Sequence, residues 1–452
     1  MFWRLMPPAM WVMGWMMWGC QGTGDTADTG SEGSDCVMFT ADSDENTDSA
    51  VADGVSGVSD GGEPIPTDSL VAEDPGTFDP PFVHRVEVTL PVARFDHMNA
   101  RPQEDIEEIV DLTVDGVVFL RSEMKLHGGY AKTVPKKSYR FTIPDETREE
   151  IDLFGDGKER QRRFVLSAAW NDSSYLRGKT TMDLVRSHGG MAPRMSHAEL
   201  YINNTYHGFY VLIERIDKLF LERQGLGKEA HMYKAENHQA NWKWKPDVVA
   251  GYDIEMGPVA DVADLYQLLD VLTHTPLEAG QFATQVESRF MVDEFMVWQR
   301  VHTFADNRDT FTKNYYLYHD LEASQGTVED RFRLISWDAD ATWGNNWDGA
   351  VVDPVTQKWY GTDAFSPRLL SIPSYRDSYL TEYQRALGAE FSVESIRANI
   401  QIVVARIEAA AQRDLDRWQP ERSFVCEVAR LLEALSLRHQ VMNREVQSLL
   451  GD

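Results

Sequence analysis

A change of hydrophobic period near residue 258 divides this chain and limits what it can fold into. Before that point apolar residues alternate, so residues 82–90, 117–120, 123–127, 138–143 and 164–168 read as strands. Residues 199–203 and 208–214 flank Asn204-Thr205-Tyr206-His207 as a β-hairpin. One helix, capped by Asp172 or Ser173, runs to about His188 and closes at Gly189-Gly190; a short one covers 217–223. After residue 258, segments 259–272 and 281–304 repeat at the helical period, with Phe290, Phe295, Val297 and Val301 expected in a core. Strands at 314–318 and 332–337, joined by a polar loop over 320–330, then lead to helices at 392–418 and 423–450. A sheet-rich half followed by a helix-rich half predicts an α+β, two-lobed body, with a small ligand held in a cleft between the lobes.

Charge is as unevenly placed as periodicity. Of the net −28, residues 21–80 carry −15 with no Lys or Arg. Rich in Gly, Ser, Thr, Asp and Glu, that stretch buries too little surface to offset chain entropy and reads as an acidic tether. Residues 1–20, MFWRLMPPAMWVMGWMMWGC, combine one positive charge with an apolar run too short to span a bilayer, the layout of a secretory signal. Its end, Gly19-Cys20, resembles the bacterial lipoprotein box, which makes Cys20 the expected lipidation site and the chain an exported, membrane-anchored protein. A bridge between the remaining cysteines, Cys36 and Cys426, is open. A pI near 4.8 excludes a general nucleic-acid binder.

The chemistry-bearing residues concentrate in three places. Leu334-Ile335-Ser336-Trp337-Asp338-Ala339-Asp340 puts two carboxylates two positions apart at the exit of an apolar strand, where extended geometry points them the same way. Like charges so close call for a cation, and hard oxygen ligands suit Mg²⁺ or Ca²⁺. Asp309 and Asn314 flank a loop that enters a strand, a carboxylate and a carboxamide suited to accepting a hydroxyl proton and holding Mg²⁺. Gly128-Gly129 lies between strands, ahead of the basic pair Lys136-Lys137; backbone N–H groups and a strand-borne lysine there suit phosphate.

With these motifs in order, the chain resembles the spore-coat protein H (CotH) kinase family of atypical secreted protein kinases. The resemblance spans roughly residues 85–350 and rests on Pro135-Lys136-Lys137-Ser138-Tyr139-Arg140, on Ala169-Trp170-Asn171-Asp172-Ser173-Ser174 with Leu176-Arg177, and on the hairpin through Glu214 and Asp217. Tyr233-Lys234, Lys313-Asn314-Tyr315-Tyr316-Leu317-Tyr318 and Trp337-Asp338-Ala339-Asp340-Ala341-Thr342-Trp343-Gly344 complete it. It implies a protein-kinase-like fold, with a sheet-rich N-lobe and helix-rich C-lobe over 81–385 and a helical extension over 386–452. It also implies ATP with Mg²⁺ or Mn²⁺, and Ser or Thr of exported proteins as acceptor. By resemblance Lys137, or alternatively Lys136, contacts the α/β-phosphates, and Glu214 lies at the hinge near adenine or pairs with the lysine. Asp309, with Asp306 as alternate, is the catalytic carboxylate; Asn314 and Asp338 hold the metal with support from Asp340; Arg177 and Asn171 order the phosphate side. Two other readings stand beside this one. One is a non-catalytic surface-binding or coat-assembly module on the same scaffold; the other is a metal-dependent phosphoesterase built on Asp338 and Asp340.

Overall fold

Alternation along the first half is resolved by closing a sheet on itself. A computed structural model describes residues 83–355 and 359–451. The expected signal segment with Cys20, the acidic tether and Cys36 lie outside the described residues. Its first strands and helices follow in chain order. They are β1 (His84–Thr89), α1 (Val92–Ala100), β2 (Glu107–Val114), β3 (Val117–His127), β4 (Ser138–Thr142), β5 (Glu150–Ile151), β6 (Glu159–Arg160), β7 (Arg163–Ser167), α2 (Arg177–Ser187), β8 (Met195–Ile202) and β9 (Thr205–Glu214). Seven of the strands close into a barrel in the order β1-β2-β3-β4-β7-β9-β8, while β5 and β6 form a small ribbon. Parallel pairing of β1 with β8 completes the closure, leaving no open edge to cover. Because side chains alternate across a strand, Val86, Leu112, Met124, Phe141, Phe164 and Leu212 fill the barrel core.

The chain continues through α3 (Lys218–Arg223), β10 (Ala230–Ala235), β11 (Tyr252–Met256), α4 (Ala263–His274), α5 (Ala279–Glu287), α6 (Val292–Phe304), β12 (Tyr315–Asp320), β13 (Arg333–Ser336), α7 (Ser366–Leu370), α8 (Pro373–Leu387), α9 (Val393–Trp418) and α10 (Phe424–Gly451). A second sheet, β11-β10-β12-β13, has two buried faces. Tyr233, Tyr315, Leu317 and Leu334 join the large helical core, whereas Met232, Tyr316 and Ile335 pack with Phe220 of α3. The class is therefore mixed α+β, with its β structure divided between a barrel and a sheet.

Several expected boundaries shift for identifiable reasons. The helix expected over 281–304 is two, α5 and α6. Between them Met291 N–H donates to Phe332 O and Phe332 N–H to Arg289 O, a bridge to the lead-in of β13 that a continuous helix would forbid. Helix α2 begins at Arg177 because the Asp172 carboxylate is spent on an intervening turn, accepting from the N–H groups of Ser174 and Arg177. Strands β2, β10 and β11 were not expected; the acidic Glu107-Glu108 and Asp111 mask the alternation of β2.

One contact fastens the barrel to the C-terminal helices. Lys136, just ahead of β4, and Asp414, on α9, are both about 1% exposed and form an ion pair of 2.7 Å. The ammonium also donates to Ala168 O and Phe209 O, and lies 4.5 Å from the Tyr210 ring centre. Asp414 accepts in addition from Tyr175 Oη at 2.6 Å and Phe209 N–H at 2.7 Å. Gly208 makes room for this: a Cβ there would meet Asp414 Oδ1 at 2.6 Å. Removing one partner of such a pair strands the other charge. Asp414→Ala is therefore expected to lower unfolding free energy by about 3–5 kcal/mol in a denaturant titration, while a double change of Lys136→Met with Asp414→Leu recovers much of that loss.

Candidate functional site

Asp309 and Asn314 are brought together by the loop between α6 and β12. Asn314 takes a left-handed backbone, φ 58°, which an Asn tolerates. Its N–H is anchored on Ala235 O at the end of β10, 2.8 Å away. So fixed, its Nδ2 donates to Asp309 Oδ2 at 3.0 Å and to Asp309 O at 2.9 Å, which leaves its Oδ1 free to face a cation. Lys313 Nζ lies 2.9 Å from Asp309 Oδ1. Asp338 leaves β13 in the same left-handed region, φ 56°. Its side chain is exposed to solvent. Burial raises its pKa, and the Asp309 charge adds to this, against the nearby Lys234 and Lys313. Asp340 is raised well above the ordinary carboxylate range, by burial first and then by Asp338. Asn171 Nδ2 steadies Asp340 Oδ2 at 2.8 Å and also donates to Trp347 O at 3.0 Å. Asp309, Asn314, Asp338 and Asp340 thus share one site.

A cationic face stands near this acidic group, and the sequence reading missed it. The outward residues of neighbouring strands align Lys125 with Arg140 and Thr142 with Arg163, next to His127 at the end of β3. Arg140 has its pKa lowered by burial and by the charges of Arg215 and Arg163. Arg140 Nε and Arg163 Nε are buried without a hydrogen-bond partner among the described residues. Lys234 connects the two sides, since its charge acts on both His127 and Asp338. The glycine turn after His127 reaches the same region: the Tyr130 ring meets Trp347 edge-on at 5.5 Å. Strand alternation was the signal available for these residues, since Lys125, His127, Arg140 and Arg163 all fall on the face opposite the barrel core.

Other expected residues are placed elsewhere. Lys136 is consumed by Asp414, so a phosphate contact from it is corrected to a structural ion pair. Lys137 folds back onto its own loop, donating to Lys132 O at 2.8 Å and Val134 O at 2.5 Å. Glu214 pairs with no lysine: Arg194 and Arg223 saturate both its oxygens, at 2.8 Å from Arg194 and at 3.0 and 2.6 Å from Arg223. Arg177 is fully buried and holds Asp172 at 2.6 Å and Glu427 of α10 at 3.5 Å, tying α2 to α10 rather than facing the carboxylates. Asp306 is buried apart, its Oδ2 accepting from Arg308 at 3.1 Å; burial pushes its carboxyl up to about 6, against the nearby Arg438 and Arg308.

A strand-exit carboxylate pair, an amide-fixed carboxylate and a cationic face with unsatisfied guanidinium nitrogens form a site of the kind that handles phosphate with a metal. The profile of the family described as "CotH kinase protein" matches residues 124–442, from β3 into α10, and the chain belongs to that family. The inner spore coat protein H of Bacillus subtilis (strain 168) is 25% identical over 319 residues, which cover 68% of this chain and 83% of that protein. The crystal structure of the Helicobacter pylori proinflammatory kinase CtkA aligns with a TM-score of 0.28 and 10% identity, over 64% of this chain and 91% of that one. The protein is kinase-like by family.

The donor set fits one divalent metal of the Mg²⁺ kind. It is all oxygen, and among the described residues no group of three or more His, Cys, Asp or Glu side chains could hold a metal. Mg²⁺ does not need such a cage, since it keeps waters and substrate phosphates as ligands and takes one or two carboxylates. Asp338, with Asp340 and Asn314, supplies that number. Protons compete with the metal for carboxylates of raised pKa, so Mn²⁺ affinity, read by calorimetry, is expected to fall as pH drops, beginning above the ordinary carboxylate range. Asn171→Ala frees Asp340 and is expected to weaken Mn²⁺ about 10–100-fold, the usual cost of losing an outer hydrogen bond to a ligand.

Proposed function

We propose that this protein is an exported, lipid-anchored atypical protein kinase that transfers the ATP γ-phosphoryl group to Ser or Thr of exported proteins. One observation carries the reading: Asp309, Asn314, Asp338 and Asp340 converge near a cationic face on which Arg140 Nε and Arg163 Nε are buried without a hydrogen-bond partner among the described residues. A bound Mg²⁺ would neutralise phosphate charge and orient the γ-phosphoryl group. Asp338 and Asn314 would hold it, with Asp340 in support. Asp309, oriented by Asn314 and Lys313, accepts the proton of the incoming hydroxyl at its carboxylate. Arg140, Arg163, Arg215 and Lys234 take the polyphosphate, in place of the lysines ahead of β4. In this reading the barrel and the helical body act as the two kinase lobes, with the recess between them.

Export is supported by the layout of residues 1–20 and by Cys426. That cysteine is disulfide-bonded, and such bonds persist where thiols are not kept reduced. Cys20 would carry the lipid, with the acidic stretch holding the folded body off the membrane.

Calorimetry of the purified chain with ATP and Mg²⁺ or Mn²⁺, followed by transfer from labelled ATP to Ser/Thr protein acceptors, tests the proposal. Binding lost in Asp338→Asn and transfer lost in Asp309→Asn are expected; a folded wild type that binds no nucleotide with either metal returns the scaffold to the surface-binding reading. Lys234→Ala is expected to cut ATP affinity about tenfold or more, in line with 1.5–3 kcal/mol for a charged hydrogen bond. Lys137→Ala is expected to leave affinity within about twofold, because that ammonium is spent on its own loop.

A further inference from the structure

The second sheet carries polar chemistry at both ends. At one end Lys234, Asn314 and Asp338 belong to the candidate site; at the other, His231 of β10 and His319 of β12 stand opposite each other in register. Strand alternation puts both imidazoles on the face of Tyr233 and Leu317, which is the face away from Lys234. They open onto a cavity of about 300 Å³ whose wall also includes Asp264 of α4, Arg289 after α5, Phe332 and part of the loop between β12 and β13. This cavity is separate from the metal site: His231 lies roughly 10 Å along β10 from Lys234 and across the sheet from it.

The groups in its wall divide into those already engaged and those left free. Asp264 is fully used. Its Oδ2 accepts from Nδ1 of both His231 and His319 at 2.8 Å, and its Oδ1 accepts from Tyr233 Oη at 2.6 Å and Leu265 N–H at 2.8 Å. Asp330 accepts from Gly326 N–H at 2.7 Å and faces His319 Nε2 at 3.4 Å. Asp261 accepts from Ala263 N–H at 3.2 Å. These carboxylates serve the protein's own donors, in keeping with the absence, among the described residues, of any group of three or more His, Cys, Asp or Glu that could hold a metal. Arg289 is different. Its main chain is fixed, since Arg289 O accepts from Phe332 N–H at 2.8 Å, yet among the described residues its half-buried guanidinium forms no ion pair or hydrogen bond. Beside it Phe332 stacks on His319, with ring centres 4.6 Å apart and planes 12° from parallel, and Leu321 contributes a 42% exposed apolar side chain.

An unpaired fork of N–H donors next to a flat apolar wall suits a planar anion. The neighbouring Asp261, Asp264 and Asp330 set its charge, because they repel a phosphate dianion about twice as strongly as a monoanion. The volume stands at the lower end of small-molecule sites and matches a compact molecule. We propose that this cavity is a second ligand site, which takes a small organic carboxylate with a planar or apolar body, its carboxylate on Arg289 and its body against Phe332 and Leu321. Recognition there is non-covalent and does not depend on the kinase reading or on the metal carboxylates.

Ligand-observed NMR and calorimetry of the full chain test this with four probes: benzoate, benzylammonium, acetate and inorganic phosphate. Benzoate is expected to bind saturably, and benzylammonium, a similar ring with the opposite charge, is not. Acetate, a carboxylate without a body, should bind about tenfold or more weakly than benzoate. Arg289→Ala is expected to weaken benzoate about tenfold or more, the usual cost of losing a charged hydrogen bond. Leu321→Asp, a change at an exposed position that sets a negative charge in the wall, should weaken it as well. Asp338→Asn should leave benzoate affinity unchanged, and loss there would merge the cavity with the metal site and overturn its independence. Undiminished benzoate binding in Arg289→Ala, displacement of benzoate by equimolar phosphate, preference for benzylammonium, or a folded wild type that binds no benzoate each overturns the proposal. None of these results bears on the nucleotide site, and a failure to bind ATP leaves this cavity's assignment standing.

Discussion

The buried pair of Lys136 and Asp414 is the contact on which the rest of this structure depends. The two residues lie 278 positions apart, one at the entry to β4 and one near the end of α9. A charge taken fully out of water must be met by several partners, and here each is: Lys136 by two carbonyls and a carboxylate, Asp414 by an ammonium, a phenol and a backbone N–H. Those demands fix distance and direction at once. The barrel wall at β4, β7 and β9 is held against the helical body, and the outward cationic face is positioned beside the carboxylates as a result. Hydrophobic burial would stabilise this junction equally well but would not specify its register so narrowly.

The site itself opposes two groups of like charges. Burial, then the Asp309 charge, raises the pKa of Asp338; burial, then Asp338, raises that of Asp340; and burial, then the charges of Arg215 and Arg163, lowers that of Arg140. Each arrangement is unfavourable alone, and in the proposed function both would be relieved by the same ligand, a polyphosphate carrying a divalent metal. A fold stable enough to carry this frustration has it offset elsewhere, in the aromatic core around Trp242, Phe295, Trp298 and Tyr315.

Much of this was legible in the sequence. Asp338-Ala339-Asp340 was legible as an acidic pair past an apolar strand, but not by the extended geometry expected there: β13 ends at Ser336 and Asp338 takes a left-handed backbone. The hairpin of β8 and β9 was legible, but its turn, expected over 204–207, is the shorter Asn203-Asn204, both in left-handed conformation. The two lysines expected at phosphate are engaged elsewhere, for a reason that lies in strand alternation. Lys136 and Lys137 stand before β4, where no strand yet dictates direction, so one turned into the protein and the other onto its own loop. Arg140, Arg163 and Lys234 sit singly in separate strands, the first two in the barrel and Lys234 in the second sheet, and only the tertiary fold gathers them. Arg177 and Glu214 were expected at the nucleotide only by family resemblance, and both are interior ties whose partners, Glu427 and Arg194, are distant or unremarkable in sequence.

The left-handed backbone at Asp306, Asn314, Asp338 and Trp343 bears on how variation can reach this site. Asp and Asn enter that conformation more readily than other residues with a side chain, because their short polar groups can bond locally. The backbone therefore filters what the genetic code may offer at Asp338 and Asn314, before chemistry is considered. Exchange between Asp and Asn passes that filter, whereas Glu, the same charge one methylene longer, must also carry the cost of the twist. Drift at these positions should accordingly silence the enzyme through neutral amides, leaving an intact fold without its charge, sooner than it would reshape the loop.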